Sequence, residues 1–222
     1  MIRPTGSSIG VLSSGGLDSS ILIAHLLAEG HRVQPFYIRA GLYWENCELE
    51  ALSNFLAAVA RPGLAPLVTL ELPLGDLYGD HWSITGRGVP GAETADDAVF
   101  LPGRNALLVM KAALWCQMHA IPSLALGTLG SNPFADATPD FFAELESALN
   151  RGPGPKVRLV RPFASFDKRR VMEVGRGLPL AQTFSCIVPQ AALHCGQCNK
   201  CAERQAAFGL VDSPDPTAYA AR

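Results

Sequence analysis

No stretch of this chain approaches the roughly 20 consecutive apolar residues that a helical bilayer span needs, and its 18 lysines and arginines do not outnumber its 20 aspartates and glutamates. The first shortage excludes a transmembrane helix. The second removes the chain-wide basic footprint of a nucleic-acid-binding protein and leaves only a local patch open. The N-terminus is polar and the first apolar run is too short for a secretory signal, so a cytoplasmic protein is expected. No Gly-Lys-Ser/Thr occurs anywhere, which excludes the Walker phosphate loop. No internal repeat is visible. Charged residues are scarce at 17% beside 48% hydrophobic, so the 222 residues can bury a sizeable core. That length suits one large α/β domain, with or without a small appendage.

What is present begins with Ser14-Gly15-Gly16-Leu17-Asp18-Ser19-Ser20, between the apolar run Ile9 to Leu12 and the apolar segment Ile21 to Ala24. A strand that breaks into a glycine pair and then a helix offers free backbone N–H groups at the positive end of a helix dipole, a cradle for phosphate. The glycines let the main chain approach an anion, and Ser13, Ser14, Ser19 and Ser20 add hydroxyl donors. Asp18 suits a magnesium ion. A serine-rich helix cap with no ligand is the plain alternative, but a cap needs one such residue, not six.

Apolar runs at Ile9 to Leu12, Val33 to Ile38, Leu67 to Leu72, Leu124 to Leu126 and Val157 to Val160 read as buried strands. Helical patterns lie between them at Ser19 to Glu29, Glu45 to Val59, Asn105 to His119 and Pro139 to Asn150. This alternation predicts an α/β fold with a doubly wound parallel sheet and ligands at the carboxyl ends of its strands. Residues 73–99, rich in glycine and proline, read as an insertion over the site rim or an interface loop. Gly86-Arg87-Gly88-Val89-Pro90-Gly91 spells G-x-G-x-x-G, but no strand leads into it and Pro90 interrupts any following helix, so it is a decoy. The segment Ser213 to Arg222 reads as a loosely held end.

Cys186, Cys195, Cys198 and Cys201 crowd into sixteen residues. C-x-x-C places two thiolates on one knuckle while a loop returns the others, a tetrahedral zinc pattern. A redox dithiol or an iron–sulfur cluster is the alternative for C-x-x-C-x-x-C. His194 adjoins Cys195 and is left out of the shell as an exposed side chain or a donor behind a ligand. Cys47 and Cys116 fall in helical patterns and read as packing material.

The loop Ser14 to Ser19 resembles that of the ATP pyrophosphatases, which cleave ATP to AMP and pyrophosphate. Together with Pro102-Gly103-Arg104-Asn105, Pro162-Phe163 followed by Lys168, Thr183-Phe184-Ser185-Cys186 and His194 to Phe208, it resembles the 7-cyano-7-deazaguanine synthase (QueC) family along almost the whole chain. The resemblance implies an adenine nucleotide alpha hydrolase-like ATP-binding domain over residues 1–177, a zinc-binding region over 178–212 and a tail over 213–222. It implies ATP, Mg2+ and Zn2+ as cofactors and a homodimer. The reaction implied is ATP-dependent conversion of a deazapurine carboxylate, 7-carboxy-7-deazaguanine, and ammonia to the nitrile.

Adenylation replaces a carboxylate oxygen with a leaving group, and each step builds negative charge on pyrophosphate or AMP, so catalysis requires positioned cations and donors. The expected catalytic set is Asp18, Arg104 and Lys168, the two cations beginning helical segments beyond predicted strands. As merely structural groups they would be helix-end or surface charges. Asn105 is expected to cap the helix after it. Adenine is expected near Phe36 to Arg39, with Tyr37, Tyr43 and Trp44 as candidate stacking rings.

The family's Asp-Cys-Arg substrate segment has no full counterpart. The stretch Gly127 to Asp140 keeps Asp136 but neither that cysteine nor that arginine, and the loss removes a bidentate partner for an anionic substrate. A different deazapurine, an amide product or another acceptor is therefore open. Two competing readings are a tRNA thiolase using paired cysteines, and a zinc-ribbon protein that senses a nucleotide. The second has only Lys200 and Arg204 for nucleic acid, which makes that partner the least expected.

Overall fold

A computed structural model describes residues 6–220. Five parallel strands, β1 (Ser8–Leu12), β2 (Arg32–Arg39), β3 (Val68–Glu71), β4 (Ser123–Leu126) and β5 (Arg158–Val160), form one sheet in the order β3-β2-β1-β4-β5. The helices are α1 (Leu17–Ala28), α2 (Glu45–Ala58), α3 (Gly75–Tyr78), α4 (Trp82–Thr85), α5 (Arg104–Met118), α6 (Pro139–Leu149), α7 (Lys168–Val174) and α8 (Asn199–Gly209). The expected doubly wound sheet is present. Its order reverses between β1 and β4, which opens a crevice at their carboxyl ends.

Alternation along each strand assigns the two faces. Ile9, Val11, Val33 and Tyr37 pack with α1, α2 and α7, whereas Phe36, Ile38, Leu124 and Leu126 pack with α5 and α6. Val11, Ile21, Leu22, Val33, Leu52 and Leu124 are fully enclosed, each contributing about 1.5–3 kcal/mol of burial. Gly10 allows α5 to settle on β1: a Cβ there would stand 2.8 Å from the Phe36 ring and 2.9 Å from Cys116 Sγ. Cys116 is thus packing material, as its helical setting suggests.

A second core joins Ala40, Leu42, Trp44, Leu74, Val99 and Leu101 to Phe184, Ile187 and the clustered cysteines. Residues 73–99 lie over it as α3, α4 and a 3-10 turn at Asp96–Val99. Two backbone bonds tie this insertion to the cysteine knuckle, Ala92 N–H to the Gln197 carbonyl and Asn199 N–H to the Pro90 carbonyl, both 3.0 Å. The G-x-G-x-x-G decoy closes α4 at Gly86, φ +69°, and follows no strand.

The loosely held end needs correction. Thr217 is buried because the Arg204 guanidinium, enclosed in the second half of α8, donates to its hydroxyl at 2.6 Å. The Tyr219 hydroxyl donates to Asp215 at 2.7 Å, and Ala220 N–H reaches the His194 carbonyl at 2.8 Å. A buried guanidinium must find acceptors, and this tail supplies one of them.

Candidate active site

The turn from β1 into α1 carries Ser13 to Gly16. Gly15 adopts φ +73°, and a Cβ there would lie 2.6 Å from the Glu48 carbonyl oxygen, so only glycine lets this turn rest on α2. The Ser19 hydroxyl accepts from Ser14 N–H at 3.2 Å, which curls the loop back over the first turn of α1. The first N–H groups of that helix have no intrahelical partner and point out of its end. Ser14, Asp18 and Ser19 face a cavity of about 480 Å3 over the carboxyl ends of β1, β2 and β4. Ser14, Gly16, Leu17 and Asp18 face a second of about 210 Å3 on the side of the cysteine knuckle. Ser20 departs from the expected cradle: it is fully buried, its hydroxyl has no partner among the described residues, and it lines neither cavity.

Asp18, Arg104 and Lys168, far apart in sequence, all line both cavities. Lys168 Nζ donates to both Asp18 oxygens at 2.8 and 2.7 Å and lies 3.7 Å from Glu203, which also pairs with Lys200 at 2.6 Å. Burial pushes the Asp18 carboxyl upward, and Lys168 opposes that push. Both side chains keep some exposure, 20% for Lys168 and 27% for Asp18, so the pair can open to a ligand. Arg104 is the first residue of α5, and its buried Nε has no hydrogen-bond partner among the described residues. Thr128 Oγ1 in the wall of the larger cavity is likewise buried and unpartnered. Buried polar groups are nearly always satisfied; of the four unpartnered atoms among the described residues, these two belong to residues that line the larger cavity, whereas Ser20 and Asn199 line neither.

Asn105 does not cap α5. That position belongs to Gly103, φ +73°, and the Asn105 amide donates instead to Asp136 Oδ1 and its backbone carbonyl, each at 3.1 Å. The bond fixes the divergent segment against the cavity. Of the aromatic candidates, Tyr37 lines the larger cavity, Trp44 lines the smaller and stacks on Trp82 at 5.8 Å, and Tyr43 lines neither. Arg39 at the end of β2 turns away to Glu45 at 2.9 Å.

Glu48 escaped the sequence reading. It is 7% exposed, lines both cavities, and accepts from the Tyr37 hydroxyl at 2.9 Å. Burial pushes its carboxyl up to about 7, and Arg104 and Tyr37 only partly offset that. Burial and the neighbouring carboxylate also push the Tyr37 phenol upward. The signal available in the sequence was helical spacing: Glu48 shares a face with Leu52 and Phe55, at i+4 and i+7, both fully buried.

The Sγ atoms of Cys186, Cys195, Cys198 and Cys201 all lie within 4.8 Å of one another, with Cys186 to Cys198 and Cys195 to Cys201 at 3.9 Å. A tetrahedral zinc with bonds of about 2.3 Å needs sulfur separations of roughly 3.8 Å, so this donor set fits the ion. Cys195 and Val188 N–H groups point at Cys186 Sγ, and those of Gln197 and Cys198 at Cys195 Sγ, at 3.3–3.4 Å. Such bonds support thiolate charge. His194 is not exposed. It is buried, lies tilted by 41° against the Phe184 ring with centroids 4.3 Å apart, and accepts from Ser185 N–H at Nε2. Burial and then Arg204 lower it to about 4, so it is neutral.

A model of the queuosine biosynthesis protein QueC matches residues 8–212. This chain belongs to the QueC family. The chain is 30% identical over 205 residues to 7-cyano-7-deazaguanine synthase 1 of Desulfitobacterium hafniense, covering 90% of each. It is 28% identical over 218 residues to the 7-cyano-7-deazaguanine synthase of a Nitratiruptor species, covering 94% of this chain and 97% of that one. A solved 4-thiouridine synthetase–RNA complex with bound ATP aligns with a TM-score of 0.54 and 15% identity, covering 94% of this chain and 51% of that one. That likeness is one of fold.

Proposed function

We propose that this protein is an ATP-dependent C–N ligase that activates a deazapurine carboxylate as its adenylate, forms a bond to ammonia, and releases AMP and pyrophosphate. The observation that carries the reading is the convergence of the Ser14–Ser19 loop, Arg104 and Lys168 on two adjoining cavities, with Arg104 Nε and Thr128 Oγ1 lacking partners among the described residues. The larger cavity takes the nucleotide, with its triphosphate along the loop and α1. Its apolar wall, Ile38, Leu108, Val109, Leu126 and Phe134, suits adenine.

The substrate carboxylate attacks the α-phosphorus, pyrophosphate leaves toward Lys168 and the helix end, and ammonia then displaces AMP to give the amide. Adenylating the amide oxygen and expelling AMP and a proton gives the nitrile. Arg104 and Lys168 stabilise the charge that grows on phosphate oxygens. Asp18 would hold Mg2+, which neutralises the triphosphate, and the four cysteines would hold a structural Zn2+ that rigidifies the wall of the smaller cavity.

The thiolase reading is disfavoured because, among the described residues, no cysteine lines either cavity. The nucleic-acid reading loses its two cations: Lys200 pairs with Glu203, and Arg204 is enclosed by Thr183, Thr217 and the Leu180 carbonyl. Incubation with ATP, Mg2+, ammonium and 7-carboxy-7-deazaguanine should yield AMP with amide and then nitrile by mass spectrometry. Unchanged acid with no AMP would refute this substrate.

A homodimer is part of the proposal. Met110, Leu114 and Met118, spaced by four on α5, are 41%, 45% and 82% exposed, an apolar stripe that a two-fold axis can pair with itself. Light scattering should give twice the 23.6 kDa chain mass, and Met118→Lys should shift it toward monomer. An unchanged dimer in that variant would place the interface elsewhere.

A further inference from the structure

Ammonia reaches a neutral solution as ammonium, a cation without a lone pair, so a ligase using it needs a group that binds the cation and removes a proton. Of the carboxylates on the cavity walls, Asp18 and Glu203 are each bonded to lysine, Asp136 accepts from the Asn105 amide, and Asp96 is exposed. Glu48 makes no ion pair among the described residues, although it is enclosed and opens onto both cavities. An enclosed, unpaired carboxylate at the junction of two cavities is a receptor for a small cation. From this geometry we infer that Glu48 binds ammonium beside the activated acyl group and accepts its proton. The inference rests on the ligase reading above and adds to it the group that prepares the nucleophile.

Ammonium gives one proton to a Glu48 carboxylate oxygen. The freed lone pair forms the C–N bond to the acyl carbon, and the C–O bond to AMP breaks with its electrons passing to the phosphate. A remaining nitrogen proton goes to solvent, and Glu48 releases its own proton there when products leave. Tyr37 from β2 holds the carboxylate in place at 2.9 Å. The other charges facing this region are Glu45 on the same helix, Arg104 on α5, Asp18 on α1, Lys168 on α7, Lys200 and Glu203 on α8, and Asp96 and Asp136 in the wall of the larger cavity. Burial raises the carboxyl to about 7 against the opposing pull of Arg104 and Tyr37, where proton transfer at neutral pH is efficient.

Glu48→Gln retains shape and an acceptor for Tyr37 but cannot take a proton. Three rates separate the roles: acid-dependent pyrophosphate exchange without amine, amide formation with ammonium, and hydroxamate formation with hydroxylamine, which is already uncharged at neutral pH. The variant should keep exchange and hydroxamate formation within about three-fold, while kcat/KM for ammonium falls about 100-fold and its acid limb near neutral pH disappears. Ammonium and hydroxylamine rates falling together, or ammonium use unchanged, would overturn the inference. If the parent protein itself shows neither exchange nor hydroxamate with the acid, carboxylate activation is refuted, and this role falls with it.

Discussion

A Cys198→Ser chain is expected to purify with far less than one zinc per molecule, at lower soluble yield, and with a lower melting temperature. Serine stays protonated where cysteine supplies a thiolate, so the tetrahedral set loses a charged ligand. Zinc binding at such a site amounts to about 10–16 kcal/mol in small peptides at neutral pH, comparable to the roughly 5–15 kcal/mol by which a whole domain is stable. The damage should spread, because the cysteines share one core with Trp44, Leu101 and Phe184 and anchor residues 73–99 through Pro90 and Ala92. Metal analysis and near-UV circular dichroism provide the readout. Full zinc occupancy with an unchanged melting curve would mean that Cys198 is not a ligand.

Asp18→Ala should leave the fold intact and lower AMP formation by at least about 100-fold. The carboxylate faces the cavities, and Lys168 retains Glu203 at 3.7 Å, so little packing is lost. Holding Mg2+ and merely restraining Lys168 predict different binding behaviour. If Asp18 only restrained Lys168, removing it would free that lysine for the triphosphate and spare the rate. If it holds Mg2+, ATP binding without metal should be kept or tightened while the metal-dependent rate collapses. Calorimetry with and without Mg2+, beside a rate assay, distinguishes these. AMP release at the parent rate would remove Asp18 from the mechanism.

Much of this architecture is written locally. The apolar runs around Val11, Val33 and Leu124 are long enough to be strands and too short to be helices, and each is followed by a periodic segment. Pro139 marked the start of α6, where the Thr138 hydroxyl accepts from Phe141 N–H. The cysteine spacing specified its own cluster because C-x-x-C constrains the chain within one turn.

What escaped the sequence depends on contacts between distant segments. Asn105 looks like a cap beside Gly103, but Asp136, thirty-one residues on, offers its amide a better partner. Ser20 reads as a phosphate donor until the sheet below α1 encloses it. His194 and Thr217 are buried because Arg204 draws the tail inward. Glu48 reads as one acid in a polar helix start, and its place on the helix face of the buried Leu52 and Phe55 was the local sign of its enclosure.

In the proposed reaction the β1–α1 turn grips a triphosphate so that the α-phosphorus faces the carboxylate. Phosphorus NMR of the parent protein with ATP, Mg2+, ammonium and the deazapurine acid tests it most directly. AMP and pyrophosphate should appear in equal amounts; ADP and inorganic phosphate as the products would rule that geometry out.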